Sequence, residues 1–265
     1  MSEGAAVRKN GAGEFVGLRT EAQVERDARF KGTALRLIED AGENWAVHAL
    51  AVTKRNALAR VLYLDDLYRR ILPVPGVICE FGVQWGATLA TLLNLRALHE
   101  PYNASRMIYG FDTFEGFAAV DPEDGGGVRA GDFSAGPGYE EGLDEILAYH
   151  QSINAFPEHR RHALVKGDAS VTVGPWLERN PHAVVALALF DMDLYRPTRD
   201  VLQAIRPRLV KGSVLVFDEL NCPFFPGETA AVAEVLGLGN LRLTRHPLQS
   251  YCAVVEVEER ALPGR

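Results

Sequence analysis

Four acidic side chains stand directly after two short apolar runs of this 265-residue chain, as the pairs Asp191/Asp193 and Asp218/Glu219. Each run has the length and composition of a β-strand that is buried on both faces. If the two strands are neighbours, they lie about 4.8 Å apart, and their acidic ends come within a few ångströms of each other. Crowded carboxylates are costly unless one is protonated or a hard divalent cation binds them.

Donor chemistry narrows the choice of cation at these strand ends. All-oxygen ligands with no nearby His or Cys favour magnesium, manganese or calcium over zinc. We predict Asp191, Asp218 and Glu219 as the metal ligands, and Asp191 as the catalytic residue, because it could also accept a proton. Asp193 points one pleat away and could instead pair with Arg196 or Arg199. The alternative is that all these acids are helix caps or surface residues.

Three earlier strand ends also carry an acid or a glycine. The end of the first strand carries Glu80, and Gly82 and Gly86 come after it in a Glu-x-Gly-x-x-x-Gly pattern, which is not the Gly-x-Gly-x-x-Gly spacing that cradles a dinucleotide. Asp112 ends the second strand and could accept both hydroxyls of a ribose. Asp168 ends the third. The alternatives are a well-packed turn after Glu80, a turn cap at Asp112 and a helix N-cap at Asp168. Together these ends fit a purine nucleoside without a diphosphate.

Composition excludes several classes of protein. The chain carries 28 Lys and Arg against 35 Asp and Glu, a formal charge of −7, so it lacks the basic footprint of a nucleic-acid binder. Its longest apolar run, Ala183–Phe190, is far short of the roughly 20 residues that span a bilayer. The three cysteines are widely spaced and fit a reducing interior. We therefore expect a cytoplasmic enzyme that acts on a small molecule, without a membrane or nucleic-acid partner.

The elements that position these residues form two parts. Residues 1–19 are predicted to be a flexible leader, and residues 20–72 to be helical, with a break at Gly42 and one apolar stripe toward the end. From residue 73 onward, apolar runs alternate with helical segments. We predict five βα units and a C-terminal hairpin, which make a doubly wound, mostly parallel Rossmann-like sheet with an antiparallel edge strand.

The predicted element bounds are specific enough to be compared with a structure. The strands are Val77–Phe81, Met107–Phe111, His162–Val165, Val184–Phe190, Ser213–Phe217, Leu241–Arg245 and Tyr251–Val257. The sheet helices are Ala87–Glu100, Tyr139–Ala155, Thr198–Leu209 and Glu228–Gly237. A long Gly/Asp-rich connection, residues 118–137, is expected to be either functional or disordered.

Several of these motifs, in this order, resemble a known family. They are Glu80–Val83, Phe111–Phe117 (FDTFEGF), Lys166–Asp168, Phe190–Tyr195 (FDMDLY) and Phe217–Glu219. The chain is similar to the macrocin O-methyltransferase (TylF/MycF-type) family of class I S-adenosylmethionine-dependent methyltransferases. The resemblance covers about residues 74–257, and it is closest to sugar O-methyltransferases of enediyne biosynthesis.

The resemblance implies methylation of a sugar hydroxyl, on a glycosylated natural product or on a nucleotide sugar such as TDP-rhamnose. It implies S-adenosylmethionine and magnesium as cofactors. It also implies a methyltransferase domain over residues 73–265, a helical lid or oligomerisation segment over 20–72, and a homo-oligomer. The implied cofactor-binding residues are Glu80, Phe81, Gly82, Thr88, Asp112, Thr113, Phe114, Gly167, Asp168 and Ala169. Asp191, Asp218 and Glu219 would hold the metal, although Glu219 stands where the family usually has an aspartate.

Two other classes of function remain open from the sequence. A NAD-dependent sugar dehydrogenase or epimerase would use a similar sheet, but the chain lacks the dinucleotide glycine spacing and a Tyr-x-x-x-Lys pair at the active-site strands. A hydroxylase-like or non-catalytic relative on the same fold would bind the cofactor without transferring a methyl group.

Overall fold

A seven-stranded sheet dominates the computed structural model, which describes residues 20–258. The strands are β1 (Val77–Phe81), β2 (Ile108–Asp112), β3 (His162–Lys166), β4 (Val185–Phe190), β5 (Leu209–Phe217), β6 (Thr244–His246) and β7 (Gln249–Glu256). Their spatial order is β3-β2-β1-β4-β5-β7-β6. The first five strands are parallel, β7 runs antiparallel to β5, and β6 runs antiparallel to β7. The predicted fold class is confirmed.

Burial explains why the parallel strands were recognisable as apolar runs. Every residue of β1 and β4 is buried, because helices cover both faces of the sheet. Alternate side chains of β1 enter two separate cores, with Ile78 on one face and Cys79 and Phe81 on the other. The strand order reverses between β1 and β4, which is the place where open α/β sheets bind their ligands.

Eight helices fall within the described residues. They are α1 (Glu21–Asp40), α2 (Trp45–His48), α3 (Arg55–Ile71), α4 (Ala87–His99), α5 (Tyr139–Ser152), α6 (Ala169–Arg179), α7 (Tyr195–Ile205) and α8 (Pro226–Val235). The sequence missed α6, because Gly174 and Pro175 interrupt its pattern in the middle. The predicted Thr198–Leu209 helix is also shifted: α7 begins at Tyr195, and Leu209 already belongs to β5.

The chain divides into two compact units, with the boundary between Arg60 and Val61 inside α3. In the first unit, α1 begins with a capping box between Thr20 and Gln23 and ends just before Gly42, as predicted. In the second unit, Leu67, Tyr68 and Ile71 of α3 are fully buried in the core.

Only part of the apolar stripe predicted for the helical segment is buried. Leu50, Leu58, Val61, Leu62 and Leu72 are all exposed. The predicted leader, residues 1–19, lies outside the described residues. None of the described helices is both long and apolar enough to cross a membrane.

Candidate functional site

The carboxyl ends of the parallel strands form one aligned row. The backbone N–H of Asp191 donates to the last carbonyl of β1 at 2.8 Å, and that of Asp218 donates to the last carbonyl of β4 at 3.0 Å. Gly82 closes the row: its φ is +91°, and a Cβ at this position would lie 1.9 Å from the Asp191 carbonyl oxygen. The sheet therefore brings the two acidic strand ends side by side and packs the Gly82 turn against them.

Unusual backbone conformations gather along this edge. Gln84 after β1, Phe114 after β2, Asp193 after β4 and Asn221 after β5 all have φ between 47° and 67°. Non-glycine residues in the left-handed region are uncommon, and they cluster at ligand sites where the surrounding structure holds them. This observation marks the carboxyl edge of the sheet as the functional face, independently of its carboxylates.

Five carboxylates crowd together beyond β4 and β5. Asp191, Asp218 and Glu219 are half-buried, whereas Asp193 and Glu228 are buried. Burial raises the pKa of Asp193 well above its usual range, and repulsion from the other three strand-end acids raises it further. Burial likewise raises the pKa of Glu228, which faces the charges of Asp193, Asp218 and Asp191. These five residues are called the acid cluster below.

Hydrogen bonds orient two members of the acid cluster. The thiol of Cys252, on β7, lies 2.6 Å from Asp218 Oδ1, to which it can donate. The backbone N–H of Glu219 donates to Glu228 Oε1 at 2.9 Å. Burial raises the pKa of Glu219, and a hydrogen bond from Cys222 partly offsets the rise. The expectation that no cysteine lies near these acids is therefore wrong, because two thiols contact them.

The alternative pairing of Asp193 with an arginine is not found. Arg196 pairs with Asp121 at 2.7 Å, and Arg199 pairs with Asp200 at the same distance. The alternative that these acids are surface residues is also wrong for Asp193, which is only 9% exposed. Asp193 thus lies among Asp191, Asp218 and Glu219, whose charges act on it.

The acid cluster suits a hard divalent cation by its chemistry. Glu219 Oε2 and Glu228 Oε2 are both buried and have no hydrogen-bond partner, which is costly for a carboxylate. Carboxylate oxygens are the donors that Mg²⁺ and Mn²⁺ prefer. Within residues 20–258, no three His, Cys, Asp or Glu side chains already stand so that they could hold an ion. The donor set fits the cation, and its side chains would have to turn toward it.

Asp112, at the end of β2, organises two loops. Its Oδ2 accepts the backbone N–H groups of Val83 and Gln84 at 2.6 and 2.7 Å, and its Oδ1 accepts that of Phe114 at 2.6 Å. The turn-cap reading of this residue is therefore correct. A carboxylate offers about four acceptor positions, so contact with a ribose hydroxyl is still compatible with these three bonds. Thr113 closes the same turn by donating to the Gly116 carbonyl.

Asp168, at the end of β3, is the N-cap of α6. Its Oδ1 accepts the backbone N–H of Ser170 at 2.9 Å, so the N-cap reading is also correct. Gly167 has φ +127°, and Ala169, the first residue of α6, is buried. These residues share the carboxyl edge with Asp112, because the Gly167 N–H donates to the Asp112 carbonyl at 2.8 Å.

The other predicted cofactor residues surround the β1–α4 turn. Glu80 is 2% exposed, and Thr88, in the first turn of α4, is 5% exposed. Phe81 is fully buried and stacks between Phe111 and Phe190, so it can meet a ligand only through its backbone. The N-cap of α4 is Gly86, which supplies no capping side chain. A helix N-terminus of this kind suits a carboxylate ligand.

Solved structures with the same architecture include a closely similar methyltransferase. A crystal structure of CalS11, a calicheamicin methyltransferase, is 40% identical over 91% of this chain and 95% of that chain, with a TM-score of 0.84. The chain belongs to the CalS11 family of methyltransferases. A second structure, described as apo CalS11, a TDP-rhamnose 3'-O-methyltransferase, is 38% identical over 91% and 97% of the two chains, with a TM-score of 0.78. The sequence resemblance is thereby confirmed.

More distant similarity concerns the fold alone. The O-methyltransferase NovP is 17% identical over 75% of this chain, with a TM-score of 0.51. No family model matches the sequence, and no curated protein matches it significantly. As a CalS11-family methyltransferase, the chain is not assigned to the dehydrogenase class that the sequence left open.

In this CalS11-family chain the Gly/Asp-rich connection packs near the starts of α7 and α8. Asp124 is 1% exposed, and its carboxylate accepts the backbone N–H groups of Asp121 and Tyr195 at 2.7 and 2.6 Å. Phe133 lies between the rings of Phe117 and Phe225. The connection is thus tied to the starts of α7 and α8, which follow the two acidic strand ends. Sequence reasoning missed Asp124 and Glu228, since each sits in a segment that looks solvent-exposed.

Proposed function

We propose that the protein transfers the methyl group of S-adenosylmethionine to a sugar hydroxyl, with a divalent cation, in natural-product biosynthesis. The observation that carries this proposal is the 40% identity with CalS11 over 91% of the chain. CalS11 is described as a TDP-rhamnose 3'-O-methyltransferase, so a nucleotide sugar such as TDP-rhamnose is the first acceptor to test, followed by glycosylated natural products.

The β1–β3 half of the carboxyl edge would hold the cofactor. Glu80, Gly82 and the uncapped start of α4 face the methionine part, Asp112 the ribose and Asp168 the adenine. The remaining proposed contacts are Phe81, Thr88, Thr113, Phe114, Gly167 and Ala169. When bound there, S-adenosylmethionine supplies a methyl group that is already electrophilic, so the protein has only to orient it. The loop held by the three Asp112 hydrogen bonds supplies that rigid support.

The β4–β5 half would hold the acceptor. Asp191, Asp218 and Glu219 are the proposed cation ligands, and Asp191 would also receive the proton of the reacting hydroxyl. A divalent ion held by these residues would supply positive charge beside the reacting sugar oxygen, which favours loss of its proton. The connection anchored by Asp124 covers the same region, and we propose that it limits the access of water to the acceptor.

A methyl-transfer screen tests this function. The full-length protein is incubated with S-adenosylmethionine and a panel of nucleotide sugars and glycosides, with and without magnesium, and the products are analysed by mass spectrometry. We expect one class of sugar to gain a single methyl group, and only when magnesium is present. Tight cofactor binding without transfer to any acceptor would instead indicate the non-catalytic reading.

The remaining proposals concern the cell and the assembly. Cys79, Cys222 and Cys252 are all buried and none of them forms a disulfide, which supports a reducing, cytoplasmic location. The exposed apolar side chains Leu50, Leu58 and Leu62 support self-association. Sedimentation equilibrium tests the second proposal, for which we expect a mass above that of one chain.

A further inference from the structure

Glu228 is an unusual residue at the start of α8. Helix α8 begins at Pro226, and Glu228 lies in its first turn with none of its side chain exposed. Its Oε1 accepts the backbone N–H of Glu219 at 2.9 Å. Its Oε2 is buried and has no hydrogen-bond partner. One carboxylate oxygen therefore holds the loop that contains Glu219, and the other is buried without a hydrogen-bond partner.

The surroundings of Glu228 are negative. Its carboxylate faces those of Asp193, Asp218 and Asp191, and no basic side chain within residues 20–258 forms an ion pair with it. An uncompensated buried carboxylate is strongly destabilising unless a proton or a cation neutralises it. A glutamine would accept the same N–H of Glu219 without that cost. The hydrogen bond alone does not account for a glutamate at this position.

The backbone fixes Glu228 in this place. Gly227, the residue before it, is so tightly packed that a Cβ there would lie 2.1 Å from Asp124 Oδ1 and 2.6 Å from the Tyr195 nitrogen. The first turn of α8 therefore packs tightly against Asp124 and against Tyr195, which follows the acids at the end of β4. Because the main chain has no room to shift, the Glu228 carboxylate is held toward the acid cluster and away from solvent.

We propose that Glu228 is part of the cation site, where Oε1 positions Glu219 and Oε2 is a further ligand of the ion. The inference rests on the proposed function, since it takes the acid cluster as the place where the cation binds. It adds a buried residue from α8 to a ligand set otherwise drawn from the ends of β4 and β5.

Mn²⁺ binding to the cofactor-free protein tests this assignment without any activity measurement. The free Mn²⁺ signal is followed by electron paramagnetic resonance for the wild type, Glu228→Gln, Asp218→Asn and Glu145→Gln. Glu145→Gln is the matched control, because it makes the same chemical change on an exposed face of α5. We expect Glu228→Gln to weaken Mn²⁺ binding roughly 10–100-fold, Asp218→Asn to weaken it at least as much, and Glu145→Gln to leave it unchanged.

Thermal melting separates ligation from simple support. In EDTA, Glu228→Gln is expected to melt at a higher temperature than the wild type, because the substitution removes a buried charge that three carboxylates repel. The rise in melting temperature on adding Mn²⁺ is expected to be smaller for Glu228→Gln than for the wild type. Should Glu228→Gln fold poorly, Glu228→Asp decides: it keeps the charge but is one methylene shorter, so its Mn²⁺ affinity should fall.

The outcomes distinguish the two proposals. Equal Mn²⁺ affinity of the wild type and Glu228→Gln, or of Glu228→Asp where that variant is used, would overturn the role of Glu228. Absence of Mn²⁺ binding by the wild type itself would overturn the cation part of the proposed function. Weakened binding in Glu228→Gln with an unchanged Glu145→Gln control would support both.

Discussion

Asp112 and Asp193 both lie at the carboxyl edge of the sheet, Asp112 as the last residue of β2 and Asp193 in the loop after β4, yet their surroundings are opposite. Asp112 accepts three backbone N–H groups from the loops around it. Asp193 is buried among other carboxylates, and burial and their repulsion raise its pKa. The β1–β3 half of the edge uses its acids to hold loops in place. The β4–β5 half collects acids that repel one another.

This difference in surroundings distinguishes acids that stabilise the fold from acids that are unfavourable until a ligand binds. Hydrogen bonds between a carboxylate and backbone N–H groups are favourable in the unliganded protein. Buried, uncompensated carboxylates destabilise it, and such conflicts are expected at functional sites. The acids of the second half are thus interpreted as the part of the molecule that depends on a bound cation.

Loss of Asp191 should have the largest effect. We expect Asp191→Ala to reduce kcat by a factor of about 10²–10³ or more, because it removes a proposed ligand and proton acceptor from the reacting centre. Binding of S-adenosylmethionine, measured by calorimetry, should persist, since Asp191 lies in the other half of the edge. Wild-type turnover in this variant would show that the β4–β5 acids do not carry the chemistry.

Loss of Asp112 should destabilise the protein and weaken cofactor binding at the β1–β3 half of the edge. Asp112→Ala leaves three backbone N–H groups without their acceptor, so the free energy of unfolding should fall by about 2–4 kcal/mol. Urea titration measures the change, and calorimetry should show weaker S-adenosylmethionine binding. Asp112→Asn keeps one acceptor oxygen, so its free energy of unfolding should lie between those of the wild type and Asp112→Ala. If Asp112→Ala is as stable as the wild type, the loop-holding role is wrong.

A matched pair of Asp→Asn variants compares the two halves directly. Asp193→Asn should raise the melting temperature of the cation-free protein by a few degrees, because it removes a buried charge and asparagine tolerates the φ of +62°. Asp168→Asn should leave it nearly unchanged, since asparagine caps a helix as well as aspartate. A lower melting temperature for Asp193→Asn would contradict the view that this acid is held at a cost.

The smallest expected effect is on the pH dependence of stability, and it concerns His162 on β3, which is an edge strand of the sheet. Burial, reinforced by the charge of Arg160 and opposed by Asp144, lowers the pKa of His162 from 6.5 to about 4. The folded protein therefore keeps His162 neutral while the unfolded chain takes up a proton below about pH 6.5. This contribution to stability is present above pH 6.5 and is lost as the pH falls toward 4. Stability measured against pH should decline less steeply over that window in His162→Gln, and parallel curves would refute the assignment.

The existence of each strand could be predicted, because local apolar runs encode the strands, although β5 begins at Leu209 instead of Ser213 and β6 at Thr244 instead of Leu241. Strand β1 begins and ends where the apolar run does, at Val77 and Phe81. From the sequence, β4 and β5 were neighbours only conditionally, and the sheet order shows that they are neighbours. Helix α6 was missed because Gly174 and Pro175 weaken its local signal. The roles of Asp112 and Asp168 as loop and helix caps were foreseen as alternatives, and the structure bears them out.

The acid cluster was only partly predictable, because its buried members depend on distant contacts. Glu228 follows a proline at a helix start, a position where an exposed glutamate is common. Its burial arises from packing of Gly227 against Asp124 and Tyr195, which are separated from it by long stretches of sequence. The thiol of Cys252 reaches Asp218 only because β7 inserts antiparallel beside β5. No local pattern encodes either contact.

Chelation of the wild-type enzyme tests the division between the two halves most directly. One sample, treated exhaustively with EDTA, is divided between calorimetry with S-adenosylmethionine and a mass-spectrometric assay with TDP-rhamnose or the acceptor that the screen identifies. The account predicts that cofactor binding persists, that methyl transfer stops, and that added magnesium restores it. Full methyl transfer in the chelated sample would contradict the proposal that the β4–β5 acids work through a bound cation.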